Sequence, residues 1–123
     1  MRFMMLIKAT KDYEAGIPPS PQLMAAMGKF AEEMTRAGVL LASEGLQPSS
    51  SATKITYANG KRSVIDGPFA EAKELIGGFG IVQAKSRQEA IELANRVVEI
   101  HIESGVSDFE MEIRPLADFP PPP

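Results

Sequence analysis

Two stretches of this chain are apolar on both faces of a strand, and that restricts the possible folds more than any other feature. Residues Arg2–Ala9 alternate: Phe3, Met5, Ile7 and Ala9 fall on one face, Met4 and Leu6 on the other. The run Phe79-Gly80-Ile81-Val82-Gln83-Ala84 is the second such strand. A strand apolar on both sides is covered on both sides. Helical spacing, however, occurs only twice. Leu23, Met27, Phe30, Met34 and Ala37 form one stripe, widened by Met24 and Ala31. Ser20-Pro21 reads as its N-cap with proline at the first helical position, and Gly38 ends it. Its methionines suit core packing, or else an adaptable ligand wall. The second helix runs from about Arg87 to Glu103, behind the capping box Ser86-Arg87-Gln88-Glu89. Its inward stripe is Ala90, Ile91, Ala94, Val97, Val98, His101 and Ile102. Two helices cover one face of a sheet. The other face is expected to meet a second copy in a symmetric homodimer.

The remaining elements follow from turn chemistry and alternation. Thr10–Pro19 reads as a loop, broken by Gly16, Pro18 and Pro19. Val39–Leu46 is a strand carrying Glu44, and Pro48-Ser49-Ser50-Ser51 is a short loop. Thr53–Tyr57 and Arg62–Asp66 flank Ala58-Asn59-Gly60-Lys61, where Asn-Gly signals a hairpin with a type I′ turn. In Asp108–Leu116, Phe109, Met111 and Ile113 alternate with Glu110, Glu112 and Arg114, so one face is buried. The order is β, α, β, hairpin, β, α, β. Two β-α-β halves suit an α+β, ferredoxin-like split βαβ domain with an extra hairpin. That topology puts the two doubly apolar strands in the middle of the sheet. Residues 1–116 form one domain, followed by a proline-rich tail at 117–123.

Composition excludes several functions. Net charge is −3 with no clustered Lys and Arg, so no nucleic-acid footprint is present. No apolar run approaches the length of a membrane span, and no signal-peptide pattern appears. The chain has no cysteine and one histidine, which argues against disulfides, thiol chemistry and a structural metal site. The expectation is a soluble cytoplasmic protein with no cofactor, no metal, no nucleic-acid partner and no membrane.

The centre of the chain is Ser63–Phe79. Asp66-Gly67-Pro68 stops a strand, Phe69 anchors the turn, Glu71, Lys73 and Glu74 follow, and Gly77-Gly78 opens the next strand. Glycines in a strand mark a bulge or close backbone approach, or form a lip where a ligand meets main chain at Gly78. Asp66-Gly67-Pro68-Phe69, with Glu71-Ala72-Lys73-Glu74 and Gly77-Gly78-Phe79, resembles the signature of DGPF-domain proteins of the YCII-related superfamily. The opening Arg2-Phe3-Met4-Met5-Leu6-Ile7, the internal Gly45-Leu46-Gln47-Pro48 and the closing Glu112-Ile113-Arg114-Pro115 agree, so the resemblance covers nearly the whole chain. It implies ferredoxin-like chains packed face to face as a dimeric α/β barrel, in a family whose biochemistry is mostly unassigned.

Candidate chemistry centres on that stretch. Asp66 and Lys73 are the candidate catalytic acid–base pair, a carboxylate beside an ammonium that stabilises developing negative charge. The plainer reading gives Asp66 to turn amides and leaves Glu71, Lys73 and Glu74 as solvated charges. His101 is the third catalytic candidate, since histidine is the side-chain type suited to proton transfer near neutral pH. Its plainer reading is a structural helix histidine. The resemblance implies a catalytic His–Asp pair with the histidine in the N-terminal half, and no histidine stands there. Glu44, Glu71, Phe69 and Gly78 are the candidate ligand-binding residues. Arg62 and Arg114 suit an anionic substrate or plain exposed charge.

Three functions fit. The first is a small cofactor-free enzyme doing lyase, isomerase or hydrolase chemistry on a small polar or aromatic molecule; the resemblance extends to a dehydrochlorinase of the wider superfamily. The second is a ligand-binding or regulatory module, because DGPF-like proteins often accompany extracytoplasmic-function sigma factors. The third is a structural dimer without a pocket.

Overall fold

The computed structural model describes residues 1–69 and 75–117. It is an α+β domain with two antiparallel sheets. The elements are β1 (Arg2–Lys8), α1 (Lys11–Glu14), α2 (Pro21–Arg36), β2 (Leu40–Gly45), a 3₁₀ turn at Ser49–Ser51, β3 (Thr53–Ala58), β4 (Lys61–Asp66), β5 (Ile76–Gln83), α3 (Arg87–Glu103) and β6 (Met111–Pro115). One sheet has the order β2-β5-β1-β6, and β3-β4 forms the other. The two doubly apolar strands, β1 and β5, are therefore the central pair, as their composition requires. The single chain closes no barrel, because β2 and β6 are free edges.

Register sorts the side chains by face. Phe3 lies opposite Val82, and Met5 lies opposite Gly80 and Ile113. Phe3, Met5, Val82 and Ala84 form the core with Ala90 and Ala94 of α3, and Val39, Leu40, Leu93, Met111 and Ile113 pack against it. Burying a ring such as Phe3, which is fully buried, contributes about 1.5–3 kcal/mol. The other face pairs Met4 with Ile81 and Leu6 with Phe79. All four are half-buried in the single chain. Glu44 lies opposite Phe79 on one edge, and Glu112 opposite Leu6 on the other, with Lys8 and Arg114 paired to Glu112.

Both long helices begin where the caps predict. The Ser20 hydroxyl accepts from the Leu23 N–H, and the Ser86 hydroxyl from the Glu89 N–H. In α3, Ala90, Ala94, Val97 and His101 are buried as the stripe predicts, but Ile102 is exposed. The α3 stripe is thus narrower than its apolar residues suggest. In α2 only Leu23 is buried, and Met24 faces solvent.

Three local expectations are corrected. The segment read as a loop at Thr10–Pro19 contains α1, whose start is fixed by the Thr10 hydroxyl accepting from the Tyr13 N–H. The strand placed at Phe79–Ala84 begins at Ile76, so the glycine pair lies inside it. The strand tolerates these glycines because the backbones crowd: a Cβ on Gly78 would sit 3.1 Å from the Glu44 carbonyl oxygen, and the β1–β5 register shifts at Ile7/Lys8. The last strand starts at Met111 rather than Asp108. The hairpin is as expected, with Asn59 and Gly60 both at positive φ. Lys73, Glu71, Glu74 and residues 118–123 of the tail lie outside the described residues.

Candidate functional site

Three short pieces of irregular backbone converge beside the Ile76 end of β5. Each is fixed by its own sequence. Thr10 caps α1, and that single turn presents Tyr13 and Glu14. Leu46 leaves β2 with its N–H on the Gly77 carbonyl, 2.8 Å, and Pro48 leads into the 3₁₀ turn. Gly67 and Pro68 end the hairpin through a cis peptide bond, and the Gly67 N–H donates to the Ala52 carbonyl at 2.8 Å.

Glu14 joins the first two pieces. Its carboxylate accepts the Ser49 N–H at 2.9 Å and the Ser49 hydroxyl. The same hydroxyl oxygen accepts the Phe69 N–H at 3.2 Å, which joins the third piece. Ser49 is only 6% exposed, so these bonds form away from water, where charge-assisted hydrogen bonds are strong. Tyr13 adds a parallel tie by donating its hydroxyl to the Leu46 carbonyl. Gly67 is obligatory here: a Cβ would fall 1.8 Å from the Ser49 carbonyl oxygen.

The three pieces border an open pocket of about 320 Å³, with Glu14, Gln47, Ser49 and Ser51 as polar lining and Leu46, Pro48, Phe69, Leu75 and Ile76 among the apolar walls. The Lys54 ammonium lies 4.4 Å over the Phe69 ring centroid. Each Glu14 oxygen uses one acceptor site on Ser49, and among the described residues no hydrogen bond takes the second. The arrangement can therefore hold a small apolar molecule that brings one hydrogen-bond donor or a positive charge to Glu14.

Of the residues singled out from sequence, Phe69 lines this pocket. Asp66 stands exposed at the foot of the hairpin, accepting from the Thr53 hydroxyl at 3.2 Å. Glu44 is exposed on the edge strand β2. Gly78 is buried between strands. His101 is 8% exposed within α3; its Nδ1 lies 2.8 Å from the Val97 carbonyl, which only accepts, so Nδ1 carries the proton. Its ring stacks on Phe109 at 3.9 Å between centroids. Among the described residues the His101 side chain thus bonds to Val97 and stacks on Phe109, while Asp66 bonds to Thr53. No group of three potential metal ligands occurs among the described residues. No described helix is long and apolar enough to cross a membrane. Sequence reasoning missed Glu14 and Ser49. The signal available was Thr10 as a cap for one helical turn ending at Glu14.

The sequence pattern of the YCII-related domain matches residues 1–108. The chain belongs to the YCII-related family. An uncharacterized protein of Rhizobium meliloti (strain 1021) is 33% identical over 99 residues, covering 80% of this chain and 73% of that protein. Glu14, Ser49 and Phe69 all lie inside the matched YCII-related region.

Proposed function

We propose that this YCII-related chain is a small cofactor-free enzyme of the cytoplasm. It takes a small aromatic molecule into the pocket between α1, the 3₁₀ turn and Phe69. The observation that carries this reading is the Glu14 carboxylate, fixed by two donors from Ser49 at the edge of an apolar pocket. A carboxylate held in one geometry, with acceptor sites that no described residue takes, suits the removal or relay of a substrate proton, as in an elimination or isomerisation. Phe69 supplies the flat wall, and Lys54 lies beside it to favour negative charge that develops on the substrate. Asp66 stays in the proposal as an acid–base group at the foot of the hairpin, and Lys73 as the ammonium that the sequence places seven positions on. His101 has a structural role in it.

The chain acts in this reading as a homodimer of ferredoxin-like halves, a dimeric α/β barrel. The support is the sheet face with Met4, Leu6, Phe79 and Ile81 at its centre and charged residues at its edges, the anatomy of an interface core and rim.

The test is an NMR titration with phenol and benzylamine as probes. Amide shifts are expected at Ser49, Phe69, Leu75 and Ile76, and weaker binding of benzylamine than of phenol to Glu14→Gln relative to the parent. Absence of shifts at these four residues at millimolar probe sinks the pocket reading.

A further inference from the structure

The hairpin β3–β4 is the part of the chain that its own fold leaves uncovered. Every residue from 53 to 66 is exposed. Ile55 lies opposite Val64 and Tyr57 opposite Arg62, so these four share one face. Ile55, Tyr57 and Val64 are 70%, 72% and 68% exposed. Lys54 belongs to the opposite face and reaches over Phe69, so that face turns toward the body and the apolar one turns away. A lone two-stranded hairpin is marginally stable in water, and an exposed apolar patch marks a contact surface.

Charge identifies the occupant. Residues 53–66 carry Lys54, Lys61 and Arg62 against Asp66, a net charge of +2. The whole chain is −3, so the remainder is −5. A basic arm and an acidic body on one chain are complementary between two copies related by a twofold axis, where each supplies both halves. On the open sheet face, Glu44 sits at the edge without an ion-pair partner among the described residues, beside an apolar centre. Two arms, each covering a patch of a few hundred Å² and an equal area beneath it, bring the buried surface to the order of 1,200–2,000 Å² that stable interfaces bury.

We propose that β3–β4 is an arm that closes over the open sheet face of a second copy. Ile55, Tyr57 and Val64 lie along its β2 rim, outside the apolar centre that the facing sheet covers, and Arg62 meets Glu44 of the partner subunit. This rests on the homodimer proposed above and adds a surface that face-to-face sheets alone do not use. The arm springs from Asp66, Gly67 and Phe69, so docking also holds the Phe69 wall of the pocket in place.

Sedimentation equilibrium tests it with the intact protein, the triple variant Ile55→Ser/Tyr57→Ser/Val64→Ser, Arg62→Glu, and Arg62→Glu combined with Glu44→Arg. The triple variant is expected to stay folded by circular dichroism and to weaken dimerisation at least about thirtyfold, given three lost apolar contacts. Arg62→Glu is expected to weaken it about tenfold, and the added Glu44→Arg to restore it. Because the chain has no cysteine, a nitroxide on Asn59→Cys reports the arm directly and is expected to be immobile in the dimer. Wild-type affinity in the triple variant overturns the arm and leaves the sheet-face dimer standing. A wild-type protein monomeric at 100-micromolar order overturns both. A label mobile in the dimer but immobilised on anionic vesicles overturns the second copy as occupant.

Discussion

Glu14 accepts both the backbone N–H and the hydroxyl of Ser49, thirty-five positions further along the chain. Neither residue belongs to a long element. Their contact, extended by Phe69 onto the same hydroxyl, sets the distance between α1, the 3₁₀ turn and the end of the hairpin. The pocket exists because that distance is fixed.

Replacing Glu14 by Ala removes the acceptor for two donors on a buried residue. A loss of about 2–3 kcal/mol is expected by urea denaturation, the range for charge-assisted bonds and their stranded partners. Glu14→Gln keeps one acceptor oxygen and is expected to lose about half as much. A double-mutant cycle with Ser49→Ala isolates the hydroxyl from the backbone bond. Independent additive losses would show that the tie does not stabilise the fold.

Gly67→Ala places a methyl group 1.8 Å from the Ser49 carbonyl oxygen, a backbone atom that cannot swing aside. The turn or the 3₁₀ segment must move, at a cost of about 3 kcal/mol or more. Gly80→Ala is the control. Its methyl would meet the flexible Leu40 Cδ1 at 3.5 Å, and a change within about 1 kcal/mol is expected. Equal losses in the two variants, read from thermal or urea unfolding, would show that crowding at Ser49 is not what reserves position 67 for glycine.

His101→Ala opens a cavity under α3 and removes the stack on Phe109. A stability loss of about 2–4 kcal/mol is expected, with phenol affinity at the pocket unchanged. His101→Phe is expected to recover part of the loss by refilling the space. A folded variant that no longer binds phenol would give the histidine a part in the site that its contacts with Val97 and Phe109 do not.

The strands and helices were legible because each obeys a periodicity: two faces for β1 and β5, four-three spacing for α2 and α3, Asn-Gly for the hairpin turn. Cap residues mark the starts of α2 and α3, but α1 falls in a segment that reads as a loop. The site was less legible because nothing periodic marks it. Phe69, which lines the pocket, stands out through the turn that ends the hairpin. Glu14 and Ser49 sit in segments that read as loops, and their meaning comes only from a contact thirty-five residues apart. Asp66 and His101 attracted attention by residue type, which says nothing of neighbours. Spacing alone puts Ile102 on the inward stripe, yet it is 57% exposed, near the end of α3.

Gly60→Ala tests whether the hairpin is energetically separate from the body. Asn59 and Gly60 stand at φ 53° and 74°, and alanine in that region costs about 1–2 kcal/mol. No hairpin residue belongs to the core cluster, so opening the hairpin leaves Phe3, Met5 and Val82 packed. The penalty should therefore appear locally. Amide exchange across the Ile55–Val64 and Thr56–Ser63 pairs is expected to quicken about five- to thirtyfold, the equivalent of that energy. The urea midpoint of the whole protein is expected to stay within experimental error. At concentrations that favour a dimer, a docked arm would slow the same amides again in the parent protein. A global midpoint that falls together with hairpin protection at dilute concentration would mean that the hairpin and the body unfold as one unit.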